Sequence, residues 1–181
     1  MAITIYEISI PPMLRGLKNL SAILKKGEGH AAANNIPASD YTSASLHPDM
    51  KPLPDQIHRV SDIAKATVSR ITGLEGPSFP DVEQTFPELQ DRISKTIAYL
   101  ESVPESAFDG QEGRVVDIKV GPADKRVEVK FSALEYWTAL GQPNFWFHVT
   151  TAYGILRMKG VDVGKLDYLN GAGLIKAENG L

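Results

Sequence analysis

Apolar residues return every three or four positions along most of this chain, and in one stretch, Arg114 to Phe131, the interval shortens to two. That contrast limits the fold more than any other feature. Side chains share a face about every 3.6 residues on a helix and every second residue on a strand. Met13, Leu14, Leu17, Leu20, Ile23 and Leu24 form a first helical seam. It starts at Ser9 with Pro11 and Pro12, or near Thr4 with a kink at the prolines, and Gly27 and Gly29 are expected to end it. Leu53, Ile57, Val60, Ala64, Val68 and Ile71 form a second seam closed by Gly73. Phe86, Leu89, Ile93, Ile97 and Leu100 form a third, opened by a Thr85/Glu88 capping box and stopped by Pro104. Between the first two, residues 34–52 are rich in Pro and Ser and hold at most a short helical turn.

In the exceptional stretch, Val116, Ile118 and Val120 alternate with Asp117 and Lys119, and Val127, Val129 and Phe131 alternate with Glu128 and Lys130. Residues 121–125, Gly-Pro-Ala-Asp-Lys, supply a turn, so a β-hairpin is expected over residues 114–131, leaning on the helices for stability. A fourth helix follows from Ser132 to Gly160, interrupted at Gly141-Gln142-Pro143. The expected fold is therefore all-α: a four-helix bundle with a small hairpin inserted between helices three and four. Its 181 residues suit one domain spanning 1–181.

Composition removes several function classes. The chain has no cysteine, which excludes disulfides, thiolate metal sites and cysteine nucleophiles. A formal net charge of −3 gives no basic surface for nucleic acid. No apolar run approaches the roughly 18 residues of a membrane span, and the segment MAITIYEISIPPM does not read as a secretory leader. A cytoplasmic protein without nucleic-acid or membrane partners is expected.

The fourth helix carries the residues of interest. With His148 set at zero and 100° per residue, Asn144 falls at about −40°, Thr151 at −60° and Phe145 at +60°, while Arg157 points away at 180°. If the helix ran unbroken through Pro143, Trp137 would lie at about −20° and Leu134 at +40°. This arithmetic predicts that His148 and Asn144 face inward together beside Thr151 and the aromatic residues. Two inward polar groups one turn apart are costly unless something satisfies them, and a water-filled or ligand-filled pocket would do so. A histidine tied down by hydrogen bonds in an ordinary core, with Asn144 serving only the break at Pro143, is the plain alternative.

The segment HVTTAYGILRMKGV resembles the last helix of the DinB/YfiT-like helical bundles. There a histidine is followed nine residues later by Arg, and three further on by Gly-Val; His148, Arg157, Gly160 and Val161 keep that spacing. Together with LRGLKNLSAIL, PDMKPLPDQI, PNFWFHVTTAYGILR and GKLDYLNG it is similar to one uncharacterised branch found in bacteria and fungi. In metal-binding members, two histidines of an H-x-x-x-H motif join a third from the second helix. His148 matches the second motif histidine, but Asn144 stands where the first would be, and a neutral amide oxygen is a weak donor for zinc or nickel. The second-helix candidate is His58, with Asp62 one turn on; His58 lies about 115° from the centre of its apolar stripe and Asp62 farther still, which makes His58 a borderline ligand and a solvated flank the plainer reading.

The leading expectation is therefore a small-molecule site without a metal or other cofactor. His148 would act as general acid/base and Asn144 would orient the substrate; Trp137, Phe145, Thr151, Tyr136 and Ser61 would line the pocket. Isomerisation, cyclisation or dehydration of an apolar metabolite would suit such a set. The alternatives are a non-catalytic ligand-binding or stress-associated protein, and a degenerate divalent-metal site (zinc, nickel or manganese) built from His148, His58 and Asp62. The resemblance also implies a homodimer, and Ile5, Ile8 and Ile10, which extend apolar surface ahead of the proline pair, are expected at or near its interface.

Overall fold

The computed structural model describes residues 3–122 and 124–176. Its first helix, α1, spans Ile5–Ala33. Thr4 caps it: the hydroxyl accepts from the Glu7 amide at 3.1 Å while the Glu7 carboxylate accepts from the Thr4 amide at 2.8 Å. The helix therefore starts upstream of the prolines and carries Pro11 and Pro12 in its interior. Proline has no N–H, so Pro12 cannot supply the helical donor that the Ile8 carbonyl would otherwise receive. The Trp137 indole supplies one instead, Nε1 donating to that carbonyl at 2.9 Å.

Gly27 and Gly29 do not end α1, contrary to expectation; the helix continues to Ala33. Gly27 is a contact point, because a Cβ there would sit 3.0 Å from the Leu156 side chain and 3.2 Å from the Phe86 ring. Gly16 acts similarly under Phe145, whose ring would lie 2.8 Å from an added Cβ. Both glycines let other helices approach α1 closely.

After a single turn, α2 (Ser39–Thr42), come α3 (Leu53–Thr72) and α4 (Phe86–Ser102). Gly73 closes α3 at φ 79°, a left-handed conformation that glycine adopts without strain. The Thr85/Glu88 capping box opens α4. Six seam residues of α3, Leu53, Ile57, Val60, Ala64, Val68 and Ile71, are fully buried. On α4 the seam is Phe86, Leu89, Ile93 and Leu100, with Ile97 half-buried.

Strands β1 (Val115–Val120) and β2 (Val127–Ser132) pair antiparallel with Val116 opposite Phe131 and Ile118 opposite Val129. Val116 and Ile118 face the bundle, while Asp117 pairs with Lys130 and Lys119 with Glu128 on the wet face. Ser132 then caps α5 (Ala133–Tyr136), which runs without a gap through a wide π turn, Trp137–Gly141, into α6 (Gln142–Met158). A short helix, α7 (Lys165–Asn170), closes the described chain and packs on α1. Asn19 of α1 holds it, donating to the Tyr168 and Leu169 carbonyls and accepting from the Ala172 amide.

The bundle thus consists of α1, α3, α4 and the α5–α6 rod, with α3 packed on both α4 and α6. Ile5 and Ile10 are 1% and 0% exposed within the single chain. They belong to its own core and are not available for the interface the sequence suggested; Ile8 is half-buried against the same core.

Removing the indole donor leaves a buried carbonyl without a partner, so Trp137→Phe is expected to destabilise the fold by about 1–3 kcal/mol in urea denaturation. Adding Pro12→Ala, which restores a helical N–H to Ile8, should recover part of that loss. No recovery would mean the indole stabilises only by packing.

Candidate functional site

The π turn decides which side chains α6 presents. An unbroken helix would place Leu134 at about +40° and Tyr136 at −120° from His148. One extra residue in the turn rotates everything before it by about 100°, moving Leu134 to about 140°, Tyr136 to −20° and Ala133 to +40°. Burial follows the rotated positions: Leu134 is 40% exposed, whereas Ala133, Tyr136 and Trp137 are enclosed. The anticipated interruption at Gly141-Gln142-Pro143 is therefore a widening, not a break.

On α6 itself the buried residues are Phe145, Val149, Thr151, Ala152, Ile155 and Leu156. Their mean direction lies at about +40° from His148, which puts Asn144 about 80° off the stripe. His148 is accordingly half-buried and Asn144 exposed. The expected inward pairing of these two residues does not form, because centring the wheel on His148 instead of on the apolar stripe turned Asn144 too far inward.

His148 meets α3. Its Nδ1 lies 2.7 Å from Gln56 Oε1, and Gln56 is 2% exposed. The Gln56 amide nitrogen donates to the Lys51 carbonyl at 2.8 Å. A carbonyl only accepts, so the Lys51 contact fixes which end of the Gln56 amide is nitrogen. Oε1 must then face the imidazole, and Nδ1 must carry the proton. The neutral ring therefore keeps its lone pair on Nε2; the recorded partner of His148 among the described residues, Gln56, is at Nδ1. Burial, and secondarily the positive charge of Arg59, lower the His148 pKa from the usual 6.5.

The remaining expected pocket residues serve the core. The Trp137 indole is committed to Ile8, the Tyr136 hydroxyl accepts from Arg70 at 2.9 Å, and Phe145 packs on Gly16. The Ser61 hydroxyl pairs with that of Thr96 at 2.7 Å, and Thr151 donates to the Phe147 carbonyl. Of these side chains only Thr151 lines a groove on α6, and His148 does not line that groove with it. That groove, of about 500 Å³, lies elsewhere on α6, between the helix and Leu46, lined by Trp146, Phe147, Thr150, Thr151, Tyr153 and Gly154. Phe147, 56% exposed, stands edge-on to the His148 ring at 5.2 Å between centroids.

The alternative metal set does not converge either. His58 is 5% exposed and not on a solvated flank, because residues 73–85 fold back over it and bring Glu83 Oε2 to 3.0 Å from its Nε2. That approach is not aligned for a hydrogen bond. Asp62 faces Arg92 at 3.1 Å and Lys65 at 3.2 Å. Arg92, fully enclosed, also donates to Asp81, Glu83 and the Pro80 carbonyl, latching this segment to the bundle. Among the described residues no three acidic or histidine side chains converge as a metal would require. The residues present do not fit a three-ligand site.

Sequence reasoning missed Gln56 and Arg59. Gln56 was legible as a polar residue between Leu53 and Val60 on the α3 stripe; nothing in the pattern marks Arg59 as a neighbour of His148. No described helix is long and apolar enough to cross a membrane.

Residues 5–169 match the family described as "Domain of unknown function (DUF1993)". Among solved structures, a DinB family member protein from Shewanella denitrificans is 34% identical, with 95% of this chain and 94% of that one aligned and a TM-score of 0.80. No curated protein matches the chain.

A depressed histidine pKa has a signed consequence for stability. As pH falls through 6.5, the unfolded chain takes up a proton at His148 before the folded one does. The destabilisation from this residue therefore builds up as pH falls from 6.5 to its lower folded pKa, stays at its full value below that, and is absent above 6.5. NMR titration is expected to place the His148 midpoint below 6.5, with His148→Gln flattening the acid side of the stability profile. A midpoint at or above 6.5 would contradict the assigned surroundings.

Proposed function

The chain belongs to the DUF1993 family and has the DinB-like helical fold, and from that footing we propose that His148 is the general base of a small-molecule site. One observation carries the reading. Gln56, its own orientation set by the Lys51 carbonyl, accepts from Nδ1 and leaves the Nε2 lone pair available in a partly desolvated position. A neutral imidazole so held is prepared to take a proton from an activated carbon or hydroxyl.

Proton transfer at Nε2 is the step that isomerisation, cyclisation and dehydration of an apolar metabolite have in common. The substrate gives a proton to Nε2 and retains the electron pair. The resulting imidazolium, still donating from Nδ1 to Gln56, returns the proton at a different atom or to a leaving oxygen. Gln56 is a positioning residue here, since it touches only the imidazole and the Lys51 carbonyl. Asn144, exposed and off the stripe, has no part in this proposal.

A base-promoted elimination of nitrobenzisoxazole tests the assignment without the natural substrate, because it needs only an accessible base in an apolar setting. His148→Gln is expected to lower the protein-dependent rate by about 100-fold or more, the usual contribution of a positioned base. Asn144→Ala should change it less than about twofold. Retention of the rate in His148→Gln, with the fold intact, would remove the proposal.

A further inference from the structure

We infer that residues 73–85 form a hinged cover, latched by the single side chain of Arg92, which swings off the folded bundle as a unit and opens a second polar cleft between α3 and α4. The cleft holds His58, Asp62, Lys65 and Arg92, and it involves neither His148 nor Gln56.

The segment has little else to hold it. It runs from the Gly73 cap of α3 to the Thr85 cap of α4 without helix or strand, and none of its residues is buried. Residues 74–84 make no backbone–backbone hydrogen bond among the described residues. At the α4 end the Gln84 and Thr85 amides are fixed to the Glu88 carboxylate. Between that point and Gly73, Arg92 supplies the anchorage: its guanidinium donates to the Pro80 carbonyl at 2.8 Å, to Asp81 at 2.9 Å and to Glu83 at 3.2 Å. The Phe79 ring meets two cations, with Lys65 Nζ 4.2 Å from its centroid and Arg92 Cζ at 5.8 Å. A segment with few buried apolar contacts and no backbone ladder lies at the low end of local stability, whereas α3 and α4 have enclosed seams of their own.

Space already lies on both sides of the cover. One cavity of about 440 Å³ separates residues 79–83 from Asp91, Arg92 and Lys95 of α4. Another, of about 510 Å³, separates residues 76–81 from Asp62, Lys65 and Ser69 of α3. Phe79 lines both and stands at their common boundary, so lifting it joins them. Beneath the cover His58 is 5% exposed, and its Nε2, close to Glu83 but not aligned for a hydrogen bond, has no partner. Arg92 is fully enclosed and its Nε lacks one as well. Closing gains the three Arg92 contacts but strands these two polar atoms, so the closed state is favoured by less than the contacts alone suggest. Asp62 stays on Arg92 at 3.1 Å when the cover leaves, so opening does not abandon the guanidinium either.

Modification by diethyl pyrocarbonate, read by peptide mass spectrometry, reports the covered His58 against the exposed His47 in the same chain. Asp81→Asn, which leaves Glu83 beside His58, is expected to raise His58 modification at least about threefold, and Asp81→Asn with Glu83→Gln at least about tenfold, because a neutral amide bonds a guanidinium more weakly than a carboxylate does. Glu75→Gln removes a charge from the same exposed segment but none from Arg92, and should leave the rate unchanged. In the wild-type chain, below the unfolding transition, His58 modification should rise only weakly with urea, since opening a short segment exposes little surface. That slope decides the matter even if a variant fails to fold. A slope equal to that of global unfolding would mean His58 is reached only when the bundle unfolds, and would overturn the inference. So would an unchanged rate in Asp81→Asn, or an equal rise in Glu75→Gln.

Discussion

Pro12 withholds a backbone donor from the Ile8 carbonyl, and the Trp137 indole replaces it. Much of the site's geometry descends from that exchange. The bond ties the N-terminal part of α1 to the junction between the hairpin and the last helix, and Trp137 is the first residue of the π turn. The turn adds one residue to the rod, so the Trp137 and Tyr136 rings enter the core while Leu134 turns outward. A tryptophan committed to a backbone carbonyl is a poor candidate for stacking a ligand. Its place in the core is structural, however suggestive an aromatic residue near a histidine looks in the sequence.

A second polar obligation shapes the functional end. Gln56 sits on the buried stripe of α3, where an amide left unsatisfied would cost about 1–3 kcal/mol. Both of its ends are used, one by the Lys51 carbonyl and one by His148. The result is more specific than burial alone, because it selects one tautomer and leaves the other ring nitrogen available. Across α3, Arg92 solves a comparable problem with acidic and carbonyl partners from residues 80–83 and Asp62. Those partners keep Asp62 and Glu83 occupied with a structural cation, so they serve the latch over α3 and α4.

The helices and hairpin were legible because their periods are clean: every seam residue assigned to α3 is buried, and the charged residues of the hairpin alternate outward as its pattern requires. What the pattern could not show was where backbone geometry departs from the regular helix. The prolines of α1 read equally as a start or a kink, and Gly27 read as a stop although it is a close contact with Leu156 and Phe86. The π turn rotates the frame by about 100°, a change a wheel drawn at constant pitch cannot contain. Helix α7, six residues long, is too short to announce itself by periodicity. His58 was misplaced for another reason: the wheel sees one helix, whereas its burial comes from a segment folding back from after Gly73. His148 itself was legible as a singular polar residue on an apolar helix. Its partner Gln56, 92 positions away, became visible only once α3 and α6 were packed together.

The functional account stands on the state of one imidazole. Long-range nitrogen–proton correlation of His148 near neutral pH reads that state directly. The account predicts a neutral ring protonated on Nδ1, with the lone pair on Nε2, and a shift toward the mixed tautomers of a free histidine when Gln56 is replaced by Leu. A proton on Nε2, or an imidazolium at neutral pH in the intact protein, would contradict it.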